Sequence, residues 1–366
     1  MRTVRRLLYA DVIQAVAFVA VAFLALFFFI DFVDELADVG PGGYRTADAA
    51  WRCLLLLPRH LYELLPIAVL IGAIYAMARM AQSSEFTILR TGGLSPGRAL
   101  SLLASLGLVF AVITLLVGDL AAPAAQRRAE LFKAGFHGGL GLGRTGAWLK
   151  DTRPAPDGEH RLSINIGQAL SDDELRALRI FELDVKGVLV ERIIAESAQV
   201  TVGLWTLCGV TRMRWDDTAP GQWRLDQPAQ LAWTTQLSAS VVAAATLPLD
   251  TMNTPSLFTY MSHLQAHGQE ADRYEIAFWK RALYPLACLV MMALALPFAY
   301  LHARRGSISV KVFGGIMLGI SFVLLNNVSS HVGQLQHWAP WAAALTPSAL
   351  YLLLSLGAFA WLVRYR

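Results

Sequence analysis

Seven basic side chains, Arg59, His60, Arg127, Arg128, Lys133, Lys280 and Arg281, fall near the ends of apolar runs or just beyond them. Their chemistry is anion binding. A guanidinium presents a planar fork of N–H donors that can grip two phosphate oxygens at once. Snorkelling, with the stem along apolar surface and the charge in water, accounts for any one of them alone. Groups that would make or break bonds are missing. There is no GxxxxGK[ST] phosphate loop, no nucleophile elbow and no Ser/His/Asp set. Gly141 to Gly146 spells GxGxxG, but no strand–helix unit surrounds it, so it reads as a hinge before a strand. Cys53, Cys208 and Cys288 are odd in number and far apart, and the eight histidines are scattered. Neither a disulfide framework nor a metal site is expected, and no cofactor.

The elements that must position these cations are membrane spans. Six apolar runs, Val12–Ile30, Leu61–Ala81, Ala99–Ala121, Leu283–Tyr300, Val310–Val328 and Leu345–Val363, are each long enough as helix to cross a hydrocarbon core of about 30 Å. The chain of 366 residues is 55% hydrophobic and only 16% charged, against about 25% charged in soluble domains. Arg2, Arg5, Arg6, Arg79, Arg90, Arg98, Arg304, Arg305, Lys311, Arg364 and Arg366 fall on one side of the spans. The opposite short loops hold only Arg45, Arg52 and Arg59, among Asp31, Asp34, Glu35, Asp38, Asp48 and Glu63. The positive-inside rule then places both termini in the cytoplasm and the large insert between the third and fourth spans outside. The first run lacks a small-residue cleavage site and reads as an uncleaved span, not a signal peptide.

Two extramembrane segments carry further pattern. Between the second and third spans, Ser83 or Ser84 can cap a short helix holding Glu85, with Phe86, Ile88 and Leu89 apolar and Gly92-Gly93 stopping it. So short a helix is unstable alone in water, so it either needs the bilayer surface or a partner protein, or is a helical turn merely linking two spans. The insert opens with a basic amphipathic helix, Gln126–Phe136, then runs of strand length: Ala147–Lys150, Arg161–Ile166, Arg179–Leu183, Val188–Glu196, Gln199–Trp205, Val210–Trp215, Trp223–Leu225 and Gln230–Leu237. That spacing predicts a β-sandwich or jelly roll. Thr254-Pro255 reads as a capped helix start, and a second helix from about Gln269 leads into the fourth span. The expected divisions are 1–121 with a cytoplasmic helix at about 83–92, 122–253, and 254–366. Asp119, Asn326 and Asn327 lie at membrane depth, where polar groups face a bundle interior or cavity. Gly315 and Gly319 form a small-xxx-small face, open to either internal packing or a subunit contact.

With this plan in place, the chain resembles the permease family of the lipopolysaccharide-export ABC transporter, of the LptG type. The resemblance is carried by the order and spacing of Phe32-Val33-Asp34-Glu35-Leu36, Ser84-Glu85-Phe86 through Gly92, Ala122-Pro123, Leu249-Asp250 to Tyr274 with Gly268-Gln269, and Thr346-Pro347-Ser348. It implies a six-span helical membrane protein (3+3) with a periplasmic β-jellyroll, in the bacterial inner membrane. It also implies a pseudo-symmetric pairing with an LptF-type sibling, a cytoplasmic LptB-type ATPase dimer and an LptC-type single-span partner. Ser84, Glu85, Phe86, Leu89 and Arg90 would be the coupling helix. Arg59 and Arg281 match basic family positions near the outer span ends, and Arg127, Arg128 and Lys133 match a basic region less exactly. Phe27 and Leu64 are chosen as apolar contacts for lipid acyl chains. A departure from relatives is acidic: Asp31, Asp34 and Asp38 stand after the first span where lysines are frequent. The rival readings are a membrane-anchored receptor or scaffold, and an exporter of another lipid or a lipoprotein.

Overall fold

A computed structural model describes residues 2–137, 140–141, 146–169, 174–201, 203–215, 222–235, 237, 241–242, 249–266, 271–300, 308–336 and 338–364. Most of the GxGxxG stretch, Arg304 and Arg305, and Gly268-Gln269 lie outside those residues. Internal contacts divide the chain into two compact units. The first is Met1–Ala37, Ala49–Gln126 and Glu275–Arg366; the second is Asp38–Asp48 and Arg127–Tyr274.

The first unit is helical. It contains α1 (Arg2–Glu35), α2 (Thr46–Gln82), α3 (Glu85–Thr91), α4 (Pro96–Leu116), and the start of α5 (Ala122–His137). Helix α6 (Thr254–Ala266) belongs to the second unit, and the first continues with α7 (Asp272–Leu283), α8 (Leu286–Tyr300), α9 (Ile308–Leu335) and α10 (Pro340–Arg364). Among the described residues, five stretches are long and apolar enough to cross a membrane, and the pair α7–α8, bent by 48°, makes a sixth if taken as one span. The fourth span is therefore broken, where the apolar run alone predicts one helix. Pro285 sits at the break, and proline supplies no backbone N–H to continue the ladder. As expected, α1 runs on as helix through Phe32 and Val33 to Glu35.

Glycines let these helices close on one another. A methyl at Gly72 of α2 would lie 2.6–2.8 Å from Val16 of α1, backbone included. Gly107 of α4 faces Met292 and Leu289 of α8. Gly315 and Gly319 face Ile74 and Ile67 of α2, so this small-residue face is used for packing within the chain. Around these approaches Leu70, Ile74, Met77, Leu103, Leu106, Met291 and Phe322 form the bundle core.

The second unit is built on one antiparallel sheet. Its strands are β1 (Leu140–Gly141), β2 (Ala147–Ala155), β3 (Gly158–Ala169), β4 (Glu174–Leu183), β5 (Leu189–Thr201), β6 (Leu204–Trp215), β7 (Trp223–Asp226) and β8 (Gln230–Thr234). β3 to β6 pair in chain order; β1 and β2 both lie along β3, and β7 and β8 both lie along β6. Two sequence boundaries were misplaced. The gap read between Glu196 and Gln199 falls inside β5, and the turn lies at Gly203, in a left-handed conformation at φ +79° that glycine adopts without strain. The sheet curls so that β2 meets the end of β8. Thr235 donates to Asp151 at 2.6 Å, and Arg153 reaches both Thr234 O and Glu182 at 3.0 Å.

One row of the sheet breaks the two-residue period in three strands together. Buried positions step by three, from Leu175 to Leu178, Ala195 to Ala198 and Leu207 to Val210. The pairings that would join Ala177 to Glu196, and Glu196 to Gly209, are interrupted there. Ala177 (φ +55°) and Gly209 (φ +62°) take left-handed conformations that keep the apolar side chains facing inward on both sides of the row. Because Ala177 carries a side chain there, Ala177→Gly is expected to stabilise the sheet by about 1 kcal/mol. Amide exchange of β4 and β5 in the full chain measures this; faster exchange in the variant would contradict it.

At the rim of the sheet, buried His160 sets Nδ1 2.8 Å from Glu182 and Nε2 2.7 Å from Asp157. Hydrogen bonds to these carboxylates raise its pKa above the ordinary 6.5, against desolvation. A raised folded-state pKa stabilises fully below the unfolded value and is lost as pH rises through the folded value. Protection of β3 and β4 should therefore weaken on going from about pH 6 to pH 9, and His160→Gln should remove that dependence.

Candidate functional site

At one end of the helical unit, α1, α2, α4 and α7 converge on the residues singled out for anion binding. Successive contacts link them. Phe27 places its ring 5.0 Å from His60, and His60 Nε2 lies 2.6 Å from Asp31. Arg59, next along α2, donates from Nε to Glu63 at 3.0 Å. The Glu63 carbonyl accepts from the Tyr284 hydroxyl at 2.6 Å, and the Tyr284 ring lies 4.8 Å from Tyr62. The Arg281 guanidinium stands 5.8 Å over the Tyr62 ring and donates to Gly118 O at 2.7 Å. Leu64 is half-buried beside them on α2. The structure thus brings Phe27, Arg59, Leu64 and Arg281 to one end of one unit.

Gly118 belongs to a wide-turn segment, Val117–Ala121, of the π type that joins α4 to α5. The sequence reading treats α4 as ending here; the backbone instead passes on helically into Ala122-Pro123. Pro123 has no backbone N–H to give to this continuous helix, and the widened turn just before it is where the ladder adjusts. Only glycine fits at 118, since a methyl would fall 2.3 Å from the Tyr62 ring. Such widened turns recur at functional sites.

Lys280, on α7, donates to Asn327 Oδ1 at 3.3 Å, and the other three cations, Arg127, Arg128 and Lys133, lie in the β-sheet unit, on α5. Lys133 pairs with Asp38 at 2.5 Å, Arg127 is half-buried and Arg128 is exposed. Tyr44, buried, meets Phe136 edge-on at 5.1 Å and holds the segment Asp38–Asp48 against α5.

The acids after the first span have specific partners too. Asp31 engages His60, Glu35 engages Arg52 and Asp38 engages Lys133, while Asp34 is exposed. The two arginines expected to meet a ligand differ in what they would give up. Arg59–Glu63 is a solvated i,i+4 pair, worth about 0.3–0.5 kcal/mol. Arg281 holds a backbone carbonyl and stacks on Tyr62, so releasing it disturbs the turn at Gly118. Sequence reasoning missed Tyr62, Glu63, Gly118 and Tyr284. The only hint was Tyr62 lying three residues from Arg59, one helical turn on the same face.

At the other end of the same unit, α3 sits between α2 and α4. Its cap is not the expected one. Ser84 takes a left-handed conformation (φ +62°) and makes no side-chain cap, while the Ser83 hydroxyl donates back to Arg79 O and Met80 O. Phe86 is buried and Leu89 packs on the bundle core, which leaves Glu85, Ile88 and Arg90 exposed. Two of the three apolar residues therefore anchor the helix, and Ile88, 67% exposed, is presented outward with Glu85.

A family model described as "Lipopolysaccharide export system permease LptF/LptG" matches residues 6–364. The Lipopolysaccharide export system permease protein LptG of Escherichia coli strain K12 is 27% identical over 331 residues, 89% of either chain. The protein of the same name from Haemophilus influenzae is 25% identical over 356 residues, 96% of either chain. Cations gathered at one end of a multi-pass helical unit, an outward-facing short helix at the other and an inserted antiparallel sheet agree with that match. The chain belongs to the lipopolysaccharide export system permease LptF/LptG family, as the membrane subunit of a transporter and not its ATPase.

Proposed function

We propose that this chain is the LptG-type permease, which takes lipopolysaccharide from the outer leaflet of the bacterial inner membrane and passes it to a periplasmic bridge. The observation that carries the reading is the family match over almost the whole chain, joined to two relatives of that name. In this reading both termini are cytoplasmic and the insert, 122–253, is a periplasmic jellyroll flanked by the span regions 1–121 and 254–366. The lopsided placement of Lys and Arg supports that orientation. An LptF-type sibling completes the permease, an LptB-type ATPase dimer docks on α3, and an LptC-type single-span protein receives the lipid.

Anionic headgroup oxygens would be met by Arg59 and Arg281, and on the insert by Arg127, Arg128 and Lys133. Phe27 and Leu64 would line the acyl chains. Each CH₂ drawn into water costs about 0.8 kcal/mol, so a continuous apolar route matters more than any single charge contact. Photo-crosslinkers at positions 59 and 281 in the assembled transporter test the substrate. Glycolipid adducts at both are expected; a different lipid or a lipoprotein there would move the chain to another cargo, and no adduct would remove lipopolysaccharide.

A further inference from the structure

Near its N-terminus α1 is gripped from two sides by the helices that flank α3. Asp11 sets Oδ2 2.8 Å from Nη2 of Arg79 on α2. The Tyr9 hydroxyl lies 2.5 Å from Ser105 Oγ and donates to Leu102 O at 3.2 Å, both on α4. Positions two apart on a helix stand about 200° apart, so one grip faces α2 and the other α4. Arg79 is also where α3 is rooted. Its carbonyl accepts from Ser83 N at 2.9 Å and from the Ser83 hydroxyl at 3.1 Å. On the far side Leu94 N donates to Leu89 O at 3.0 Å, and the Ser95 side chain caps α4.

Packing alone would hold α1 here, since Leu8, Val12 and Val16 are buried in the bundle core. A carboxylate among them, with its side chain only 16% exposed, is costly to desolvate. What it adds is register. Apolar faces let packed helices slide by about 1–2 Å, whereas a charge-assisted hydrogen bond fixes one turn against another.

The helix so held is built to pass a displacement on. The 34 residues of α1 include no glycine and no proline. By contrast α2 holds Pro58 and Pro66, and α4 runs into the wide turn Val117–Ala121. Asp31 lies about 30 Å further along α1 than Asp11. There the helix is held again, by Asp31 on His60 and by Glu35 on Arg52.

We infer that Asp11 and Arg79, with Tyr9 on Ser105, tether α1 to the root of α3, so that a displacement of α3 by the ATPase draws α1 along its axis and moves Phe27 and Asp31 beside Arg59. These are positioning residues; none of them touches a ligand. The inference rests on the docking of the ATPase at α3 proposed above.

The test uses the assembled transporter in nanodiscs, with an environment-sensitive fluorophore at Val33 of α1 and ATP plus vanadate as the trigger. Asp11→Leu combined with Arg79→Gln cuts the tether and leaves neither charge unpaired. The label should respond to nucleotide in the parent and about fivefold less in the double variant. Tyr9→Phe, a milder cut on the α4 side, should lower the response about twofold. Bound ATPase, ATP hydrolysis and thermal stability should all hold, because apolar replacement of a largely desolvated pair is often neutral or stabilising. Lipopolysaccharide released per ATP should fall with the label response. An equal response in the parent and either variant would overturn the inference. So would a fall that tracks a loss of thermal stability, which is the mark of packing alone. ATPase lost with Glu85→Arg, alongside an undiminished label response in the double variant, would remove the tether and leave docking at α3 standing.

Discussion

Glu85→Arg should strip the ATPase from the purified complex and stop lipopolysaccharide export, while the permease itself remains folded. Glu85 opens a seven-residue helix, is exposed and stands one turn from exposed Ile88. The helix keeps its place through Phe86 and Leu89, which the substitution does not touch. A carboxylate buried and paired at a partner surface loses about 2–5 kcal/mol when its partner is left unmatched, and reversal adds repulsion. Retained ATPase should therefore fall by about 30-fold or more. Ile88→Asp should act in the same direction, whereas Leu89→Ala should lower permease stability as well. Full ATPase recovery with Glu85→Arg would show that α3 does not carry the docking proposed here.

Gly72→Ala is expected to have the largest effect on folding. Its new methyl would meet the Val16 backbone nitrogen and Cα at 2.6 and 2.7 Å, atoms that no rotamer change can move. Helices α1 and α2 would have to part, and overpacking of this kind costs about 1–3 kcal/mol or more. Val12 and Val16, both buried, would lose their fit in the bundle core. Gly314→Ala is the control, because a methyl there meets nothing within 4 Å and replaces a helical glycine, a gain of about 0.5–1 kcal/mol. Thermal stability of the extracted full-length protein should drop sharply in the first variant and hold or rise in the second. Equal stability would refute the close approach of α1 and α2.

The sequence carried the architecture because hydrophobic length and alternation are strong, local signals. Five apolar runs became long helices, and the strand-patterned insert became an antiparallel sheet. What it hid are features set by interruption. Pro285 turns one apolar run into two helices, yet Pro58 and Pro66 sit inside α2 without ending it, so proline alone did not mark the break. The strand ends near Glu196 and Gly203 were misread because the alternation changes phase inside β5. In the site, Arg59 and Arg281 were visible as charges. Tyr62, Gly118 and Tyr284 were not, since their roles come from a wide helical turn and from contacts across more than a hundred residues. The acids of the first loop looked like a charge excess; His60, Arg52 and Lys133 answer three of them individually.

The shared change of phase across β4, β5 and β6 also restricts how this insert can evolve. Deleting Ala177 alone would turn half of one strand inside out against neighbours still wound the old way. A shortened lineage would need matching losses near Glu196 and Gly209 before any selective advantage appeared. Mutational drift should thus exchange outward-facing side chains along these strands while their residue count stays frozen.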